Sequence, residues 1–194
     1  MRATPIVVLA SGDGSLAEAL IRRAQAGAPF SVAAVITDRS GINVLNRATS
    51  LGIQAEVVDF KSFADRGEWE SALTSIVSRF EPQLVVSAGF MKILSPKFLT
   101  KFKMINSHPA LLPSFPGAHA VADALAAGVT ESGCTVFLVD DGVDTGPILA
   151  QRKVSVLAGD DEATLHERIK EVERVLLPEV VAELVLAEIR EGMK

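Results

Sequence analysis

A chain of 194 residues with 48% hydrophobic content and a mean hydropathy of +0.32 carries enough apolar material for a sizeable core within one domain. Its formal charge of −5, the lack of any basic run and an aromatic content of 5% exclude a broad nucleic-acid surface, which needs clustered Lys and Arg to neutralise phosphates. Cys134 is the only cysteine, which rules out an internal disulfide framework and fits a reducing compartment. The apolar run Ile6 to Ala10 is too short for a signal peptide, and no segment approaches the roughly 18 apolar residues of a membrane helix. The expectation is a cytoplasmic chain with no membrane partner, still able to take a small anion at one local site.

In chain order, Ile6 to Ala10 reads as a strand buried on both faces, closed by Ser-Gly-Asp-Gly-Ser. Leu16 to Ala26 has helical spacing of apolar residues, with Ser15 as its expected N-cap. Ser31 to Thr37 follows as a strand, Asn43 to Ser50 as a helix, Gln54 to Val58 as a strand and Phe63 to Phe80 as a longer helix. Leu84 to Ala88 is the fourth strand, Gly89 to Phe102 a connector and Lys103 to Ser107 the fifth strand. His119 to Ala127 reads as a helix, Gly133 to Val139 and Ile148 to Val156 as strands pairing antiparallel at an edge. Asp161 to Glu191 is a long helical stretch that Pro178 is expected to kink or divide. Repeated strand and helix alternation gives the predicted class: α/β, a Rossmann-like, mostly parallel sheet of about seven strands with helices on both faces.

Three stretches carry candidate chemistry. Ser11 to Ser15 is a glycine-rich turn between strand and helix, where free backbone N–H groups and a helix dipole suit a phosphate. Gly12-x-Gly14-x-x-Ala17 also loosely matches the dinucleotide fingerprint, with Asp38 as its ribose acid, and a turn that needs glycines for its backbone alone remains the plain alternative. Asp13 suits an anion only if its side chain points away. Second, Asn106 and His108 lie two apart at a strand end, on one face, before a loop stiffened by three prolines and a glycine. Third, Asp140, Asp141 and Asp144 follow an apolar strand, and a carboxylate brought to a histidine fixes its tautomer and favours its charged form. Twelve places from Asp140 or Asp141 stand Gln151 or Arg152 rather than the Glu of a calcium loop, and no His or Cys cluster suits zinc, so no metal is expected. His119 could cap a helix or line the cleft. His166, Lys170 and Glu173 read from spacing alone as parts of a solvated helix face.

Taken together, Ser11-Gly12-Asp13-Gly14-Ser15, Ala88 to Pro96, Asn106 to Pro113, Pro116 to His119 and Asp144 to Pro147 resemble the phosphoribosylglycinamide formyltransferases of folate-dependent purine synthesis. The resemblance runs in order over nearly the whole chain. It implies one formyltransferase domain over 1–194, with a nucleotide-phosphate half at about 1–100 and a catalytic and folate half at about 101–194. It further implies transfer of a formyl group from 10-formyltetrahydrofolate to glycinamide ribonucleotide by a monomer or homodimer without metal. By position, Asn106, His108 and Asp144 match the catalytic trio. Ser11, Gly12, Asp13, Gly14, Ser15, Arg66, Lys170 and Glu173 match the ribonucleotide side. Phe90, Met91, Lys92, Ile93 and Leu94, with Val139, Asp140, Asp141 and Asp144, match the folate cleft. Asp13 and Leu16 stand where the family usually has Asn, Lys92 where Arg is frequent, and Ser107 where Ile is usual. A formyltetrahydrofolate hydrolase is the near alternative. An NAD-linked Rossmann oxidoreductase would use Gly12, Gly14 and Asp38 but leaves Asn106, His108 and Asp144 unexplained.

Overall fold

A computed structural model describes residues 3–191. Seven strands form one sheet: β1 (Thr4–Ala10), β2 (Phe30–Thr37), β3 (Gln54–Val57), β4 (Leu84–Ser87), β5 (Met104–His108), β6 (Glu131–Leu138) and β7 (Ile148–Ser155). Their spatial order is β3-β2-β1-β4-β5-β6-β7. The first five strands pair in parallel, whereas β6 runs antiparallel to both β5 and β7. The class and the antiparallel edge pair are as the sequence predicts, with the parallel order reversing direction between β1 and β4. At such a switch point the loops after neighbouring strands part and leave a crevice.

Six helices cover the sheet: α1 (Ser15–Gln25), α2 (Asn43–Ser50), α3 (Arg66–Arg79), α4 (Pro96–Lys101), α5 (Ala120–Ala126) and α6 (Glu162–Glu191). Alternation along β1 explains the two layers. Ile6, Val8 and Ala10 pack with α1, α2 and α6 on one face, and Val7 and Leu9 pack with Trp69, Leu73, Val77 and Phe98 on the other. All five are fully buried, so the continuous apolar run is what a strand covered on both faces requires. Cys134 lies in the first layer, where burial and then the Glu173 charge push its thiol up to about 12.

Four boundaries depart from the sequence reading. Ser15 is the first residue of α1 and not its cap; Gly14 takes the N-cap place at φ 84°, a left-handed backbone that glycine adopts freely. The third helix begins at Arg66 because the Asp65 side chain accepts from the Glu68 N–H, after a short 3-10 turn at Phe60–Ser62. Within the expected connector, α4 opens with Pro96 at its first turn, and Ser95 before it donates N–H and hydroxyl to Glu70. Finally, α6 runs through Pro178 as one helix. An interior proline costs about 3 kcal/mol, and each fully buried Leu or Val contributes roughly 1.5–3 kcal/mol. Buried Leu176, Leu177, Val180 and Val181 flank Pro178 on both sides, so their packing outweighs the lost backbone bond.

Candidate active site

A cleft of about 1190 Å³ opens at the carboxyl ends of β1, β4 and β5. Single small-molecule pockets usually hold about 300–1,000 Å³, so this cleft lies just above that range. One wall is the glycine loop Ser11 to Ser15, and a second is the loop Phe90 to Leu94 after β4. The two walls are tied together: Ser11 N–H donates to the Gly89 carbonyl at 3.1 Å, and Met91 N–H to the Ser11 hydroxyl at 2.9 Å. Met91 and Ile93 are 61% and 60% exposed, which gives this lip an apolar surface for a flat ring to cover. Lys92 is held by buried Asp38 at 3.5 Å and lies 4.5 Å from the Phe60 ring centre. Burial opposes ionisation of Asp38, yet the Ser11 hydroxyl and the Arg39 and Lys92 charges hold its carboxyl below the usual carboxylate range. Asp38 is 2% exposed and does not line the cleft, so it does not present a ribose acid there.

The floor is β5. Asn106 and His108 share one face of the strand, Ser107 on the other face donates to Glu173 of α6 at 2.6 Å, and all four residues line the cleft. His108 is buried and held at both ring nitrogens. Its Nε2 donates to the Phe115 carbonyl at 2.8 Å, and its Nδ1 lies 3.3 Å from Asp144 Oδ2. A carbonyl only accepts, so Nε2 carries a proton; a second proton on Nδ1 makes the Asp144 contact a charge-assisted donation. Asp144 Oδ2 also accepts from Gly117 N–H at 2.8 Å. Both Asp144 and Phe115 hold left-handed backbones, at φ 56° and 54°, a conformation that costs a non-glycine residue roughly 1–3 kcal/mol. That strain sits on the two residues that grip the imidazole. Among the described residues the Asn106 amide makes no hydrogen bond, which leaves its donors to the cleft.

Two supports explain how the chain reaches this geometry. Thr135, fully buried on β6, donates to the Ala110 carbonyl and accepts from Leu112 N–H and Gln151, pinning the proline-rich loop beside His108. The peptide Leu112–Pro113 is cis. On the other side, the acidic loop folds back so closely that a side chain at Gly146 would overlap the Leu138 carbonyl. Asp140 ties this loop by accepting from Gly142 N–H and the Thr145 hydroxyl, which leaves Asp144 as the carboxylate facing His108.

Of the residues singled out from sequence, Ser11 to Ser15, Phe90 to Leu94, Asn106, His108, Val139, Asp140, Asp144, Lys170 and Glu173 all line the cleft. Arg66 and Asp141 do not. The Arg66 guanidinium donates to the Ile93 carbonyl and so braces the lip from outside, and Asp141 is exposed to solvent at the loop tip. His119 takes the N-cap place of α5 without a capping bond and is exposed. His166, read as a solvated residue, is half-buried in the cleft wall, where burial and then the Lys170 charge lower its pKa. Spacing held the signal: His166, Lys170 and Glu173 stand at i, i+4 and i+7 and share one face of α6. Burial pushes the Glu173 carboxyl above the usual carboxylate range, and the Ser107 hydroxyl and Lys170 charge oppose this only in part. Arg47 of α2 also lines the cleft and was not marked by any motif. Among the described residues, no three His, Cys, Asp or Glu side chains gather as for a metal ion, and no helix is long and apolar enough to cross a membrane.

Residues 4–181 match the formyl transferase family. The chain belongs to that family. Among curated proteins, this formyl transferase is 52% identical over 185 residues to the phosphoribosylglycinamide formyltransferase of Mycobacterium tuberculosis, covering 92% of this chain and 84% of that one. It is 41% identical over 178 residues to the human trifunctional purine biosynthetic protein adenosine-3, covering 89% of this chain and 17% of that protein. Among solved structures, glycinamide ribonucleotide transformylase 1 from Symbiobacterium toebii superposes with a TM-score of 0.93 at 37% identity, covering 95% of this chain and 89% of that one. The family expected from the residues is thus the one found, and its fold is the seven-stranded, mostly parallel sheet described above.

Proposed function

We propose that this formyl transferase moves the formyl group of 10-formyltetrahydrofolate to the amine of glycinamide ribonucleotide, giving formylglycinamide ribonucleotide and tetrahydrofolate. The meeting of Asn106, His108 and Asp144 on the floor of a cleft that is also walled by a glycine loop suited to phosphate and an apolar lip suited to a pterin carries this reading. The neutral amine attacks the formyl carbon, and the C=O π electrons move onto oxygen. Asn106 Nδ2–H is the free donor for that oxygen; His108, whose Nε2–H is committed to Phe115 and whose Nδ1 lies 3.3 Å from Asp144, adds its Nδ1–H by sharing it between Asp144 and that oxygen. One such donor is worth about 10²–10³ in rate. As the tetrahedral intermediate collapses, the C–N bond to the folate breaks. The attacking nitrogen loses a proton and the leaving nitrogen gains one, and Asp144 beside both His108 and the cleft serves as the relay.

In this scheme Gly12, Gly14 and Ser15 hold the ribonucleotide phosphate through backbone N–H groups, Ser11 anchors the loop through its N–H to Gly89, and Lys170 and Glu173 stand beside the phosphate. Phe90 to Leu94, Val139 and Asp140 take the folate. The chain works as one unit, because the loops that make the site come from both ends of the sequence. The test is tetrahydrofolate formation from 10-formyltetrahydrofolate with and without glycinamide ribonucleotide. Turnover only with the ribonucleotide is expected; turnover with water alone would make the protein a hydrolase and overturn the proposal.

A further inference from the structure

The glycine loop presents a physical problem. A phosphate seated there would meet backbone N–H groups and the N-terminus of α1, but it would also meet Asp13, an anion in the middle of the loop. The structure resolves this with a chain of alternating charges along the cleft wall. Asp13 Oδ1 accepts from Asn43 Nδ2 at 2.8 Å, and its Oδ2 from Arg47 Nη2 at 2.7 Å. Arg47 Nη1 donates to Glu18 Oε2, and Glu18 Oε1 accepts from Arg22 Nε at 2.8 Å. Asn43 and Arg47 stand four apart on α2 and so reach the loop from one helix face. The approach of α2 is built into the backbone: a side chain at Gly14 would overlap Val44, the residue between them. Hydrogen bonding from Asn43 and the Arg47 charge keep the Asp13 carboxyl below its ordinary pKa, although burial opposes them, so this anion persists at neutral pH and must be offset.

We propose that Arg47 is a positioning residue for ribonucleotide binding: it draws the Asp13 carboxylate out of the glycine loop toward α2 and cancels its charge, making the loop fit for a phosphate. The inference rests on the reading that this loop takes the ribonucleotide phosphate. Lys170, which among the described residues forms no ion pair, then supplies the direct cationic contact. Without Arg47, Asp13 is left as an uncompensated charge beside a dianion. At an effective dielectric between water and protein, such a repulsion over a few ångströms weakens binding about tenfold.

The experiment measures ribose 5-phosphate binding by calorimetry, and KM for both substrates, in wild type, Arg47→Ala, Arg47→Lys and the Arg47→Ala/Asp13→Asn double variant. Arg47→Ala should weaken ribose 5-phosphate and raise the ribonucleotide KM about tenfold, leaving kcat and the formylfolate KM within about twofold. Arg47→Lys, which keeps the charge, should stay within about threefold of wild type. The decisive arm is the double variant: removing the Asp13 charge should restore most of the lost affinity, which mere damage to packing would not allow. Unchanged binding in Arg47→Ala, or no recovery in the double variant, would overturn the inference. Failure of the wild type to bind ribose 5-phosphate or use the ribonucleotide would instead remove the reading of the loop on which it rests.

Discussion

His108 is fixed at Nε2 by the Phe115 carbonyl, so its reactive face is set by what lies at Nδ1. In the proposed mechanism His108 supports the oxyanion, so His108→Ala should lower kcat by about 10²–10³ while both substrates still bind. Steady-state kinetics with separate binding measurements checks this, and equal losses in affinity and turnover would speak against a donor acting in the transition state. Asp144→Asn keeps an oxygen for the Gly117 N–H but removes the charge opposite Nδ1. It should lower kcat by about 10²-fold or more with little change in melting temperature, because the acceptor for Gly117 survives. Glu173 gives a prediction in stability. Burial raises its carboxyl, so the native state binds the proton more tightly than the unfolded chain. Stability is therefore highest below the ordinary carboxylate value and is lost as pH rises from there through the raised native value. Glu173→Gln retains an acceptor for Ser107, so it should raise the melting temperature at about pH 8 and leave it nearly unchanged at about pH 4. A melting difference independent of pH would contradict the sign.

At the scale of elements, Gly14 joins three of them. Its left-handed backbone starts α1, and its missing side chain lets α2 lie against the loop. Gly14→Ala should cost at least about 1 kcal/mol of stability, measured by denaturant unfolding, and should also raise the ribonucleotide KM by displacing Asn43 and Arg47. The sequence makes β1, β2, β4 and α2 legible, since each is an apolar run or stripe closed by turn residues. It does not reveal α4, because a six-residue helix whose Ser95 cap turns to Glu70 leaves little local signal. The division considered at Pro178 does not occur for the opposite reason: a local breaker is visible, but the buried residues that carry the helix through it take effect only in three dimensions. For the site, the gathering of Asn106, His108 and Asp144 in one cleft is what spacing and resemblance lead one to expect. The contact of Arg47 with the glycine loop is not legible, because it depends on α2 meeting a loop some thirty residues away in sequence.

Across the whole molecule, the cleft works because two kinds of connection converge on it. The parallel half supplies loops after β1 and β4 that part at the switch point, and the antiparallel edge returns β6 and the acidic loop alongside β5. Helix α6 closes the far wall with His166, Lys170 and Glu173. The glycine loop, the Asn106, His108 and Asp144 cluster and the lip after β4 therefore lie in one continuous space, as the proposed direct transfer between two bound substrates requires. The most direct measurement is the fate of the formyl carbon. With 10-formyltetrahydrofolate labelled at that carbon and glycinamide ribonucleotide present, the label should appear in the formyl amide of the ribonucleotide with the wild type and be nearly lost with His108→Ala. Label released as free formate, or equal transfer by the His108→Ala variant, would contradict formyl transfer at this site.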